Sequence, residues 1–243
     1  MAIFSPFSLY QSPTGSAYND VWALWDASNG GTTTTTWSTI SGSAGTLDIT
    51  RTDTGVTYVS SGSASHYAFS SNDYMTGSLA GFAPSGGGFV FNMWAMPNSF
   101  SPGQALYWID GASAINDFGA FTGNNRFQWS WYAYNSDTAA GGGDTGGTTY
   151  STPNTLWFMN TVVWDGITAK VYVNGTLKNS FNSTTVPYPT LNSLTLRVGF
   201  LNKSATSLYF NSGKVAMMEL WNRNLSPTEV TELWDTNKTR FGY

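Results

Sequence analysis

Few side chains in this sequence could carry out chemistry. His66 is the single histidine, cysteine is absent, and the glutamates number three: Glu219, Glu229 and Glu232. A Cys/His zinc centre, a thiol nucleophile and a disulfide framework are therefore excluded. A serine triad would have to run through His66, which no recognisable nucleophile accompanies. Glycosidic hydrolysis needs two carboxylates flanking the bond, yet Glu229 and Glu232 belong to a predicted helix, so no enzyme and no catalytic residue is expected. Asp110, Asp117, Asp137 and Asp144 lie in or near loops without forming an Asp-x-Asp cluster. Hard-cation sites concentrate carboxylates, so these read as ordinary turn residues, with Ca2+ as the alternative and no other cofactor expected. Binding chemistry is better supplied. Gln128, Tyr132 and Tyr134 alternate along one segment, which sets an amide and two phenols on one face. Such a face suits a glycan; the plainer use of an aromatic sheet face is packing against a neighbouring sheet or subunit.

The elements that hold these side chains follow from composition and pattern. Charged residues make up 10% of the 243 and aromatics 16%, where an average soluble domain is roughly a quarter charged. Gly, Ser, Thr and Asn together account for 107 residues. So many aromatics exclude a disordered polar chain, and a net charge of −4 offers no electrostatic basis for nucleic-acid binding. The apolar runs are too short to span a bilayer, and residues 1–10 lack the basic start and apolar core of a secretion signal. Neither a membrane segment nor a leader is expected. The expected organisation is an all-β domain over residues 21–243, preceded by an arm over residues 1–20.

Period-two patterns mark the strands. Phe89, Phe91, Met93 and Ala95 alternate with Val90, Asn92, Trp94 and Met96, and Phe127 to Ala133 alternates likewise. Residues 105–109, 156–164, 169–173, 194–200 and 214–221 continue the series, and 46–59 reads as two strands about a turn at 53–55. Residues 137–149, DTAAGGGDTGGTT, read as a long loop without function. Asn174-Gly175 supplies cheaply the two positive φ angles of a type I′ hairpin. Ser226, Pro227 and Glu229 spell an N-cap, a first helical residue and a capping box. Leu225 and Val230 stand at staple spacing, and Val230, Leu233 and Trp234 make one apolar stripe, so a short helix docks there.

In this order the second half of the chain resembles the laminin-G-like, concanavalin A-like jelly rolls. Leu156 to Gly166 is similar to their W-x7-D-G strand and turn, and Ala169 to Gly175 to their L-Y-V-D/N-G hairpin. Leu194 to Gly199 and Phe210 to Val230 follow suit, the latter carrying the W-N-R-x-L-S-x-x-E segment; upstream, Ser65 to Met75 and Phe89 to Pro97 resemble two further strands. The resemblance implies a concanavalin A-like β-sandwich jelly roll with one short C-terminal helix. It implies Ca2+ sites and glucanase members too, but their Glu-x-Asp-x-x-Glu strand does not occur here. The terminal Arg240-Phe-Gly242 is similar to the ending of copies found in tailed-bacteriophage virion proteins. From this comes the functional expectation: a non-enzymatic virion structural protein, a capsid decoration or tail component, that contacts host surface glycans. Its expected partners are its own copies, as a trimer, and other virion proteins, with Phe4, Phe7, Tyr10 and Tyr18 of the arm making the attachment. The alternative is a carbohydrate-binding or adhesion module of a secreted cellular protein.

Overall fold

Among the described residues, alternating side chains become two antiparallel sheets facing one another, each of eight strands. The computed structural model describes residues 15–28, 35–52, 54–70, 72–83, 88–98, 104–110, 117–123, 126–132, 139–144, 156–182, 194–203, 206–210 and 212–243. The first sheet runs β14 (Thr176–Asn182), β13 (Thr168–Val173), β12 (Phe158–Trp164), β7 (Phe89–Pro97), β18 (Gly213–Trp221), β5 (His66–Phe69) and β4 (Thr57–Val59). In it β5 covers only the start of β18, and β1 (Ala23–Asp26) pairs with the remainder of that edge. The second sheet runs β11 (Ala139–Asp144), β10 (Arg126–Tyr132), β9 (Asp117–Gly123), β8 (Gln104–Asp110), β15 (Thr195–Val198), β6 (Met75–Ser78), β3 (Asp48–Arg51) and β2 (Thr36–Ser38). A separate hairpin joins β16 (Phe200–Lys203) to β17 (Thr206–Tyr209).

The inner faces of the two sheets interlock as one apolar core. Phe89, Phe91, Met93 and Ala95 of β7 and Phe158, Val162 and Trp164 of β12 meet Tyr107 and Ile109 of β8 and Leu196 and Val198 of β15. Phe91 and Tyr107 stack across the gap with centroids 3.9 Å apart. Burying one such side chain is worth about 1.5–3 kcal/mol, so the alternation is enough to hold register. The residues before Ser65, outside the motif resemblance, supply β1 to β4 and so complete both sheets. Residues 46–59 do form two strands about a turn, but β3 and β4 lie in different sheets.

One expectation is corrected. Residues 139–144 of the presumed loop form β11, whose register sets Gly141 and Gly143 opposite Trp131 and Trp129 of β10. Strand pairing is made by the backbone, and glycine carries none of the side-chain signal by which strands are recognised.

The helix α1 spans Pro227–Asn237, and its capping box is complete: Ser226 Oγ accepts from the Glu229 amide and Glu229 Oε2 from the Ser226 amide. Val230 and Leu233 are buried. The hairpin between β13 and β14 turns through Asn174 and Gly175 with φ of 51° and 73°. A Cβ at Gly175 would come within 2.9 Å of Trp234, so the turn must be glycine both for its angle and for the helix lying on it.

Candidate functional site

The outer face of the first sheet is closed. Val90, Trp94, Met159, Val163, Met217 and Trp221 rise from it into a second apolar layer. Over them lie the turn Ser16–Asp20, α1, and the turn Lys238–Phe241. Trp94 stacks on Trp234 (5.3 Å, 9°) and on Phe241 (4.1 Å, 18°). Several polar groups beneath this cap find partners, while Trp94 Nε1 and Glu219 Oε1 are buried without one among the described residues. Arg240 grips Asp26 through both terminal amino groups at 2.5 Å, with the side chains 8% and 0% exposed. Glu219 accepts from Asn92 Nδ2, and Thr161 Oγ1 donates to Asn92 Oδ1 at 2.6 Å. Complete burial pushes the Glu219 carboxyl up to about 7, against the Tyr18 hydroxyl and Asn92 amide, which favour its charged form.

The other would-be catalytic groups have equally structural surroundings. Glu229 closes the capping box and meets Arg223 at 2.7 Å, and Glu232 accepts from Ser16 Oγ at 2.6 Å. His66 is buried; its Nδ1 lies 2.9 Å from the Ala64 carbonyl, to which it can only donate, and its ring stands edge-on to Trp157. Burial lowers its pKa. Among the described residues no three His, Asp or Glu side chains gather as a metal site. Asp110 pairs with Arg197, Asp117 and Asp144 lie in β9 and β11, and Asp137 is outside the described residues.

The outer face of the second sheet is different in kind. Register carries one row of positions across all eight strands: Thr36, Thr50, Thr76, Arg197, Trp108, Gly119, Ser130 and Gly142. Beside it Ser78, Thr195 and Asp110 form a second row. Hydroxyls line the β2–β3–β6–β15 half, half-buried or exposed. In the middle an ion pair meets aromatic rings. Arg197 Nε donates to Asp110, and the guanidinium lies over the Phe200 ring, 5.6 Å from its centroid. Tyr74 stacks on Phe200 (4.5 Å, 23°) and Tyr209 leans on the same ring at 4.8 Å. Trp108, next to Arg197 across the strand pair, lies over Gly119, where a Cβ would come within 2.4 Å of the indole. Burial pushes the Asp110 carboxyl up, opposed by the Arg197 guanidinium and the Trp108 indole. Trp108 and Phe200 are buried, so what the face presents is the half-buried rings of Tyr74 and Tyr209 beside fixed donors and acceptors, with hydroxyls around them, the mixture a polar ligand requires.

The model of the concanavalin A-like lectin/glucanases superfamily matches residues 69–231, within which lie the strands that build this face from β6 to β15. The chain belongs to that superfamily. No curated protein matches this lectin/glucanase-type chain in sequence. Among solved structures it is similar to domain 4 of AbnA, an extracellular arabinanase from Geobacillus stearothermophilus, in complex with arabinotriose: 17% identity, TM-score 0.62, covering 88% of this chain and 98% of that one. It is similar also to the binding domain of botulinum neurotoxin DC in complex with SialylT, at 11% identity and TM-score 0.66 over 90% of this chain and 52% of that one. The same domain in complex with rat synaptotagmin II gives 12% and 0.62 over 87% and 50%. The chain thus spans about half the length of the toxin binding domains and nearly all of the arabinanase domain.

On the lectin/glucanase-type sandwich the expected site residues fall as follows. Gln128 and Tyr132 belong to β10 and flank Ser130 in register, so their positions lie on the outer face two strands from Trp108, about 12 Å away at ordinary strand and residue spacing. Their side chains, and Tyr134 altogether, lie outside the described ones. Phe4, Phe7 and Tyr10 also lie outside the described residues. Tyr18 packs against Trp221 at 6.4 Å, and its hydroxyl accepts from Asn237 at 2.8 Å. Sequence reading passed over Arg197, Tyr74, Phe200 and Tyr209. The alternation of Thr195 and Arg197 with buried Leu196 and Val198 was the available signal for Arg197; the aromatic residues are assembled by tertiary structure alone.

Proposed function

We propose that this chain is a non-enzymatic carbohydrate-binding jelly roll that holds a glycan on the outer face of its second sheet. The observation that carries this reading is the part-exposed Arg197–Asp110 pair beside the half-buried rings of Tyr74 and Tyr209, with Phe200 and Trp108, both buried, adjoining Arg197. Sugar rings present C–H faces to aromatics and hydroxyls to donors and acceptors, and this cluster offers all three. The arabinanase domain in complex with arabinotriose and the toxin domain in complex with SialylT support the ligand class. The non-enzymatic half of the proposal is supported by the glutamates, each of which is engaged in holding the fold. The finer part places the domain on a tailed-phage virion as a homo-trimeric structural protein that touches host glycans, attached through its first twenty residues. The terminal Arg240-Phe-Gly242 resemblance and the low-charge, hydroxyl-rich composition support it.

The decisive experiment is a glycan-array screen followed by calorimetric titration of the best saccharide. Wild-type protein is expected to bind saturably and leave the saccharide uncleaved. Arg197→Ala, shown folded by circular dichroism, is expected to lose about tenfold or more in affinity, the scale of a charge-assisted hydrogen bond. Absence of heat with every saccharide would remove the carbohydrate reading. Capsid or tail genes beside this one, and a trimer by light scattering, are the outcomes expected of the virion reading.

A further inference from the structure

Arg197 has five N–H donors in a planar fork. Among the described residues its hydrogen bond is made through Nε alone, to Asp110, which leaves the two terminal amino groups unspent on a side chain that is 27% exposed. Asp110, 19% exposed, has about four lone-pair positions. Arg197 Nε takes one, and the Trp108 indole favours the same carboxylate, so acceptor capacity remains. Donors and acceptors thus stand side by side in an assembly whose charges cancel. The neighbouring rings Tyr74 and Tyr209 are half-buried, each with an edge or face left to solvent.

We propose that this site selects neutral sugars by a vicinal diol: the Arg197 terminal amino groups donate to one hydroxyl oxygen, and Asp110 accepts the proton of the next hydroxyl. The inference rests on the carbohydrate reading above and specifies its ligand. Adjacent hydroxyl oxygens on a sugar ring stand about as far apart as the two ends of a hydrogen-bonded Arg–Asp pair, so both contacts form at once. A uronic or sialic acid fits worse. Its carboxylate would approach an arginine already neutralised by Asp110, and would face that second carboxylate at short range, on a protein of net charge −4. Thr76 and Thr195, which flank Arg197 in the two rows, add hydroxyls suited to an uncharged polyol and no cation suited to an anion.

The test uses matched trisaccharides that differ only in charge: galactotriose with trigalacturonate and mannotriose with trimannuronate, alongside arabinotriose and 3′-sialyllactose. Each is titrated into the full chain, into Asp110→Asn and into Arg197→Lys. The neutral member of a pair is expected to bind at least about tenfold tighter than its acidic twin. Asp110→Asn should weaken the neutral ligands about tenfold while narrowing or reversing the gap, because it removes an acceptor and a repulsion together. Tighter binding of the acidic twins overturns the inference and leaves the carbohydrate reading standing. Unchanged neutral binding in Asp110→Asn, with circular dichroism showing a native fold, overturns it as well. Silence from all six saccharides overturns it too, whereas the carbohydrate reading falls only with silence across the glycan array.

Discussion

A carboxyl whose pKa burial raises to about 7, sealed beneath Tyr18 and Arg240 of the terminal cap, makes Glu219 a reporter on that cap. The unfolded chain releases this proton near the ordinary value of 4.5, whereas the folded chain holds it to about 7. The stabilisation it brings is therefore whole below about pH 4.5 and is lost as pH rises through about 7, a span worth roughly 3 kcal/mol. Glu219→Gln should raise the melting temperature relative to wild type at pH 8 and leave it unchanged near pH 4.5; melting curves that run parallel across that range would refute this. His66 acts in the opposite sense. Its lowered pKa gives stability that is present above 6.5 and lost on acidification, so the two groups oppose one another across the mildly acidic range. The Asp26–Arg240 pair joins residues 214 positions apart. Arg240→Ala should cost about 3–5 kcal/mol, since it strands a buried charge, whereas Asp26→Leu with Arg240→Met should cost much less; denaturant titration distinguishes them. None of these partnerships was legible in sequence. Each residue type was visible, but a buried pair is made by topology, and Glu219 and Arg240 show no local pattern that announces a partner.

Elements whose geometry is decided within a few residues were legible. The capping box needs only Ser226, Pro227 and Glu229, and the hairpin needs only the two residues able to adopt positive φ. Ser226→Ala should accordingly cost about 1 kcal/mol. Gly175→Ala should cost more than that, because it meets both an unfavourable φ and the Trp234 side chain. Urea unfolding of the two variants side by side checks the order. The long strands β7, β12 and β18 were legible for a related reason: each buries both faces, one in the core and one beneath the cap. What escaped was β11, a strand rich in glycine, and the crossing of the chain from one sheet to the other between β3 and β4. Backbone pairing and sheet choice are set by partners far away in sequence. The binding face lies between these cases. Its strands were foreseen, while the meeting of Tyr74, Phe200 and Tyr209 depends on how β6, β15 and the β16–β17 hairpin are brought together.

Across the whole molecule the two sheets have divided their work. One carries its terminal segments as a lid, and without that lid Trp94, Trp157 and Trp221 would face water. Deleting residues 238–243 should leave the inner core able to form yet convert the protein into an aggregating species, visible as loss of the monodisperse peak in size-exclusion chromatography. The lid also gathers the two ends of the described chain. Gly15 stands beside Glu232 of α1, and Tyr243 packs on Trp234 and donates to the Trp157 carbonyl, so both ends of the described chain sit on the closed side. A biotin coupled at Tyr243 should leave saccharide affinity unchanged on a sensor surface, whereas one coupled through Thr50→Cys on the hydroxyl row should abolish it. The consequence reaches beyond a single copy. Domains anchored by either end all point their hydroxyl-rich faces the same way, toward whatever surface lies opposite. On the proposed reading, a weak single contact would then become one of many made at once, with the strength of adhesion governed by the spacing of the anchors as much as by the sugar in any one site.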